Sequence, residues 1–345
     1  MDILTFLKKA ETIPMVDVRS PAEFIQGHIP TAYNIPLFSN EERKRVGTSY
    51  KQSGRKDAMF MGLEFAGPKM KALALEASKI ARSKQLLVHC WRGGMRSSSM
   101  AWLFSMVGLE CHVLEGGYKT FRKHVLSSID EDFPFVVIGG LTGSGKTDVL
   151  QSLEKNGEQI IDLENLAHHK GSAFGSLGEK SQSSNEQFEN DIFWQLNRLD
   201  RSGTVWVEDE SRSIGKNILP AGVYRNIRSA PVIFLDLPFS DRIDRLVRDY
   251  AGFPKEDLID SVRKIRPRLG NQVAQWAISA IKEGNYSRTA ELVLKYYDKT
   301  YRYGLEKRDR DLVFSLHVAE PIPATDLAKR IIEFAEQNSI TGQRL

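Results

Sequence analysis

Cysteine is scarce in this chain. Its 345 residues hold two, Cys90 and Cys111. Two cysteines build no disulfide framework, and neither has a second ligand at Cys-x-x-Cys spacing, so no disulfide partner and no zinc knot is expected. A reducing compartment is the simpler setting. Long apolar runs are missing as well. None reaches the length that crosses a bilayer, which argues against a membrane partner. Met1–Lys9 lacks a basic stretch followed by an apolar one, so no secretory leader is read there and a cytoplasmic location is expected. A strong charge imbalance is also lacking. The net charge of +4 permits a polyanionic partner without demanding one.

What is present is ordinary globular composition, 41% hydrophobic and 27% charged. The length is too great for one core, and two domains of roughly 130 and 210 residues fit the usual range. The boundary falls at the acidic junction Asp130-Glu131-Asp132-Phe133-Pro134, giving expected domains at 1–130 and 134–345. In both, short apolar strands alternate with helical patterns. That alternation implies α/β domains built on parallel sheets.

In the first domain, strands are expected at 14–18, 33–36, 86–90 and 111–114, and helices at 68–82, 95–107 and 118–128. Ser20-Pro21-Ala22-Glu23 has the form of a capped helix start. The central stretch is Leu86-Leu87-Val88-His89-Cys90-Trp91-Arg92-Gly93-Gly94-Met95-Arg96-Ser97. It reads as strand, tight loop, helix. A thiol beside a helix N-terminus, with Arg92 and Arg96 nearby, loses its proton more easily than a free thiol. Gly93 and Gly94 let several backbone N–H groups converge on one point. Cys90, Arg92 and Arg96 are therefore the candidate catalytic residues. Asp17 and Arg19 read as structural, and His28 and His89 as hydrogen-bonded framework. Residues 40–67 form a basic insertion carrying Arg43, Lys44, Arg45, Lys51, Arg55 and Lys56. A solvated loop and a phosphate-backbone contact are both open readings of it.

The second domain opens with a buried strand, Phe135–Gly139. Gly140-Leu141-Thr142-Gly143-Ser144-Gly145-Lys146-Thr147 follows, and then a helical run. This is G-x-x-x-x-G-K-[ST] in the context the motif requires. Gly140, Gly143, Ser144 and Gly145 curl backbone N–H groups around a phosphate. Lys146 supplies a point charge, and Thr147 can hold Mg²⁺. Further strands are expected at 159–163, 204–209 and 231–236. The second of these closes in Glu208-Asp209-Glu210, where Asp209 is the first choice and Glu208 the second for a carboxylate that orients Mg²⁺. Asp162 has two readings, a second catalytic acid or a helix cap. Arg212, and the face carrying Arg242, Arg245 and Arg248, are candidate anion contacts. Trp276 and the tyrosines from Tyr286 to Tyr303 lie among basic residues, a pattern that suits RNA and equally suits core packing.

Val16-Asp17-Val18-Arg19-Ser20-Pro21-Ala22-Glu23-Phe24, Gly27-His28-Ile29-Pro30 and Leu114-Glu115-Gly116-Gly117-Tyr118 resemble the opening and closing signatures of rhodanese sulfurtransferase domains. In that family the cysteine at the place of Cys90 carries a persulfide cradled by loop N–H groups. A rhodanese-like domain joined directly to a P-loop NTPase-like domain with helical additions, together with Val46–Gln52 and Glu208–Gly215, resembles the tRNA 2-selenouridine synthase family. That resemblance implies replacement of sulfur by selenium in wobble 2-thiouridine of tRNA. Selenophosphate would be the donor, and an S-geranylated intermediate would be made from geranyl diphosphate. It implies tRNA and a selenophosphate-supplying enzyme as partners. Cys90 would then take up selenium as a selenenyl sulfide, or sulfur as a persulfide, and geranyl diphosphate is a candidate occupant of Gly140–Thr147. Two other readings stay open: an ATP-coupled sulfurtransferase and a non-catalytic tRNA-binding protein.

Overall fold

The short apolar runs of the first half become one parallel sheet. Its strands are β1 (Met15–Asp17), β2 (Tyr33–Asn34), β3 (Gln85–His89) and β4 (Glu110–Val113), in the order β2-β1-β3-β4. The two inner strands are almost wholly buried, as expected where helices cover both faces. The capping box at Ser20 forms, with Glu23 Oε2 accepting from Ser20 N–H at 3.1 Å, and starts the helix Pro21–Gln26. Helices Met70–Ile80, Met95–Ser105 and Gly117–Ser128 fall where their apolar spacing places them. The basic insertion is not a loop. It folds as two helices, Asn40–Gln52 and Arg55–Ala66, the first started by a capping box between Ser39 and Glu42.

The second half forms a five-stranded parallel sheet. Its strands are β5 (Phe135–Gly140), β6 (Gln159–Ile161), β7 (Val205–Glu208), β10 (Val232–Asp236) and β11 (Val313–His317), in the order β11-β10-β5-β7-β6. Between β7 and β10 lies a small antiparallel pair, β8 (Ser213–Ile214) with β9 (Asn217–Ile218). The two-residue strands of this pair are too short to stand out in sequence, whereas β11, with Val313, Phe314 and Leu316, carries an apolar strand pattern beyond the strands expected from sequence. β5 is central and buried at every position. Its carboxyl end therefore opens onto the crevice where open α/β sheets bind ligands. A separate apolar cluster unites the helices Lys255–Leu269, Asn271–Glu283 and Tyr286–Leu305 through Leu258, Val262, Ala277, Ile281 and Val293.

This architecture is read from a computed structural model, which describes residues 1–342. It divides into two compact units. One is Met1–Ser128 with Glu189–Phe193; the other is Ile129–Phe188 with the chain from Trp194 onward. Each is taken by itself below.

Candidate functional site

In the first unit Cys90 follows β3 directly, and the helix Met95–Ser105 begins five residues later behind Gly94. Gly93 sits at φ +63°, in the left-handed region open to glycine. The closing signature braces this turn. Tyr118 N–H donates to Cys90 O at 2.8 Å and Lys119 N–H to Trp91 O at 3.0 Å. Gly117, at φ +60°, lies so close that a Cβ there would collide with Cys90 O and Gly93 N. Two segments far apart in sequence thus hold one backbone cradle.

Cys90 is buried, with Sγ 3.2 Å from Ser97 Oγ. Burial raises its pKa. Hydrogen bonds from the Ser97 hydroxyl and Arg92 N–H, with the Arg96 charge, outweigh that and leave it lowered. Cys111 shows the contrast. Without such donors, burial and Glu110 push it up to about 11. Arg96 is half-buried and held by Glu23 Oε2 at 2.9 Å. The Arg92 side chain is exposed, and its backbone N–H makes the contact to sulfur.

Asp17 and Arg19 lie beneath this loop as a fully buried pair, Nη2 to Oδ2 2.6 Å, with the guanidinium stacked 3.8 Å from the Tyr118 ring centre. His28 hydrogen-bonds Phe24 O through Nδ1 at 3.0 Å, as framework. His89 departs from the expectation. Neither ring nitrogen makes a direct hydrogen bond, Nε2 is 3.9 Å from Asp17 Oδ2, and burial lowers its pKa to about 4. It packs as a neutral ring. On the insertion, Arg43 pairs with Glu23 and Glu42 with Lys69 beyond it, while Lys44, Arg45, Lys51, Arg55 and Lys56 remain exposed.

In the second unit Gly140–Thr147 wraps from β5 into the helix Lys146–Lys155. Gly143 and Gly145 both have positive φ (+83° and +81°). Lys146 Nζ donates to Gly140 O at 3.1 Å. Ser144 is buried and its Oγ has no partner, a hydroxyl aimed at nothing within the protein. Thr147 Oγ1 donates to Glu164 Oε2 at 3.1 Å.

The carboxylates are distributed differently from expectation. Asp209 accepts from Tyr301 OH at 2.7 Å and from Arg308 Nη2 at 2.5 Å, with Arg228 3.7 Å away. Its charge is spent on that network, so it is a poor cation ligand. Oxygens of Glu164, Glu208 and Glu210 instead lie within 4.8 Å of one another, beside Thr147. Glu208 is fully buried and both its oxygens lack a partner. Burial, then repulsion from Glu164 and Glu210, holds its pKa well above the ordinary carboxylate value; burial, then Glu164 and Asp209, push Glu210 up to about 8 against the pull of Lys146. Buried, mutually repelling carboxylates beside a hydroxyl suit a hard divalent cation. Mg²⁺ therefore fits the glutamate cluster with Thr147 better than it fits Asp209.

Other expectations sort as follows. Asp162 caps the helix Leu163–Ala167, its carboxylate accepting from Asn165 N–H at 2.9 Å. Arg212 is exposed, outside the cavity described next. Arg242 is buried in a two-bond pair with Asp298 (2.8 and 2.7 Å) and also donates to Thr142 O at 3.1 Å. Arg245 lies over Gly145 and pairs with Asp148, and Arg248 faces solvent. Ser97, Glu164, Glu210 and Arg308 were not singled out by the sequence, and Tyr301, read there as an RNA-stacking or core ring, clamps the P-loop instead. For Glu210 a signal existed: alternation along the segment after β7 sets Glu208 and Glu210 on one side and Asp209 on the other.

From the P-loop a cavity of about 1060 Å³ extends into the helical cluster. Gly145, Lys146 and Thr147 line one part of it, and Leu258, Ile281 and Val293 another. Tyr286, Tyr296, Tyr297 and Tyr301 line it too, whereas Trp276 and Tyr303 are exposed.

Comparison with known proteins agrees with both halves. Residues 3–124 match the rhodanese-like domain model, and residues 133–260 match the tRNA 2-selenouridine synthase AAA domain model. A tRNA 2-selenouridine synthase of Proteus mirabilis (strain HI4320) is 34% identical over 340 residues, covering 89% of this chain and 92% of its own length. One of Salmonella typhi is 35% identical over 337 residues, covering 87% and 91%. Another, of Shewanella sediminis (strain HAW-EB3), is 34% identical over 337 residues, covering 87% and 90%. This chain belongs to the tRNA 2-selenouridine synthase family.

Proposed function

We propose that the chain is a tRNA-modifying transferase that replaces sulfur by selenium in wobble 2-thiouridine, in two chemically distinct halves. In the first, the thiouridine sulfur attacks C1 of geranyl diphosphate. The S–C bond forms, the C1–O bond breaks and pyrophosphate leaves. In the second, selenium from selenophosphate attacks C2 of the base. The C2–Se bond forms, the C2–S bond breaks and geranylthiolate departs with a proton. The Cys90 thiolate takes the phosphoryl group as selenium is delivered, the S–P bond forming as the Se–P bond breaks, and water then releases phosphate from that sulfur. Selenium stands at the same oxidation level in donor and product, so no oxidant is needed. A resting selenenyl sulfide on Cys90 would require two electrons to leave selenium, and it is not a step of this scheme.

The observation that carries the reading is the cavity: a phosphate-binding loop at one part and apolar helices at another. A nucleotide triphosphate needs the loop but not the apolar wall. A prenyl diphosphate needs both. Gly140, Gly143, Ser144, Gly145, Lys146 and Thr147 are assigned to the diphosphate. Ser144 Oγ, unpartnered, is free to donate to it. Glu164, Glu208, Glu210 and Thr147 would hold Mg²⁺, which would supply charge neutralisation at the pyrophosphate leaving group. Arg212 is reassigned from the site to the surface. Asp209 positions Tyr301. In the selenium half, Cys90 is the catalytic thiolate, and the Arg92 N–H and Arg96 charge stabilise anionic chalcogen there. The exposed cations of the insertion are assigned to tRNA phosphates. Among the described residues no helix is long and apolar enough to cross a membrane. A cytoplasmic setting with access to a selenophosphate-producing enzyme fits the chemistry.

The test is geranylation of thiolated tRNA by the full chain and by Lys146→Ala. Loss of the geranylated nucleoside in the variant supports the assignment. Intact geranylation, with only nucleotide binding lost, would overturn it.

A further inference from the structure

The helix Tyr286–Leu305 is fastened to the P-loop at two points. Gly140 N–H donates to Tyr301 OH at 3.0 Å, and that hydroxyl donates on to Asp209. Asp298 pairs with Arg242, which in turn donates to Thr142 O. From this anchored end the helix runs into the apolar cluster. Tyr297, Val293 and Ala290 follow Tyr301 on one face at about one, two and three turns, with a rise of about 5.4 Å per turn. All of them line the cavity. Polarity falls along the same direction: the loop end has Lys146 and Thr147, while Val293 packs in one cluster with Leu258 and Ile281.

An isoprene unit has four main-chain bonds of about 1.5 Å in a zigzag, so it spans roughly one helical turn. The helix is therefore graduated in isoprene units, counted from the phosphate site. We propose that this face measures the prenyl tail: with the diphosphate at Gly140–Thr147, the first unit lies along Tyr297, the second ends at Val293, and a third would reach Ala290. This rests on reading the P-loop as a diphosphate site, and it names the specificity-determining residues that such a site needs. Tyr301 and Asp298 act as positioning residues that hold the scale in register with its origin.

The test measures binding of inorganic pyrophosphate and of dimethylallyl, geranyl and farnesyl diphosphates to the full chain by calorimetry. Formation of the prenylated nucleoside on thiolated tRNA is followed in parallel. A buried methylene is worth about fourfold in affinity and the second isoprene unit adds five carbons, so geranyl should exceed dimethylallyl diphosphate by up to about 1,000-fold in the unaltered protein. Val293→Trp should cut the geranyl-to-dimethylallyl ratio by about tenfold or more, and Ala290→Trp should cut the farnesyl-to-geranyl ratio by a similar factor. Pyrophosphate affinity reports that the P-loop is intact in each variant. Ala290 is half-buried with cavity before it, so its variant decides the matter should Val293→Trp fail to fold. Unchanged ratios in a variant that still binds pyrophosphate would overturn the scale while leaving geranylation itself standing. A protein that binds ATP, but neither binds nor uses any prenyl diphosphate, would overturn the underlying reading instead.

Discussion

Under the thiol loop, Arg19 neutralises a fully buried carboxylate. Its Nη2 also donates to Gly27 O at 2.6 Å, so one side chain ties β1 to the turn after the helix Pro21–Gln26. Arg19→Ala would leave Asp17 buried and uncompensated, and denaturant unfolding should register a loss of about 3–5 kcal/mol. Cys90 makes a prediction in the other direction. Its lowered pKa places a thiolate step below the ordinary thiol value of 9.0, while Cys111 titrates near 11. Ultraviolet thiolate absorbance against pH should show two separated steps. Cys90→Ala should remove the lower one, and Ser97→Ala should move it upward, shifting the rise of selenium incorporation to higher pH. A single merged step in the unaltered protein would contradict the cradle. Cys90 was legible because its loop is continuous in sequence. Ser97 was not, because a serine in a run of three offers no local sign of which one faces sulfur.

Among the elements, the P-loop and its helix were plain in the sequence, since strand, glycines, lysine and helix are contiguous. What clamps them was not. Tyr301 stands 161 residues from Gly140, and Arg308 stands 99 from Asp209; no period or motif links them. The carboxylates behind Thr147 show a subtler failure. Ranking Asp209 ahead of Glu208 in Glu208-Asp209-Glu210 misses the alternation that pairs the two glutamates. Glu208 now carries a linkage prediction. Its pKa is raised on folding, so folding costs free energy as pH rises above the unfolded value near 4.5. Glu208→Gln removes that cost and should stabilise the metal-free protein by about 1–3 kcal/mol at neutral pH. Mg²⁺ should raise the melting temperature of the unaltered protein and not that of the variant. Equal Mg²⁺ shifts in both would move the cation elsewhere. The loop reading of the insertion at 40–67 fails because its charges hide two helices, one started by a capping box, whose apolar faces are sparse.

At the scale of the whole molecule, the proposed function gives each half of the chemistry its own compact unit. The α/β class and the parallel sheets followed from alternating strands and helices. The helical cluster at 255–305 carries no motif, yet it lines the cavity with the apolar wall on which the proposed prenyl diphosphate reading rests. The two-half account is tested most directly by nucleoside mass spectrometry of thiolated tRNA. The tRNA is incubated with geranyl diphosphate, with selenophosphate, and with both, using the unaltered chain, Cys90→Ala and Lys146→Ala. The unaltered chain should give the geranylated nucleoside with the first substrate and 2-selenouridine with both. Cys90→Ala should stop at the geranylated nucleoside, and Lys146→Ala should leave 2-thiouridine. Absence of selenium from every reaction, or geranylation that needs Cys90 and not Lys146, would contradict it.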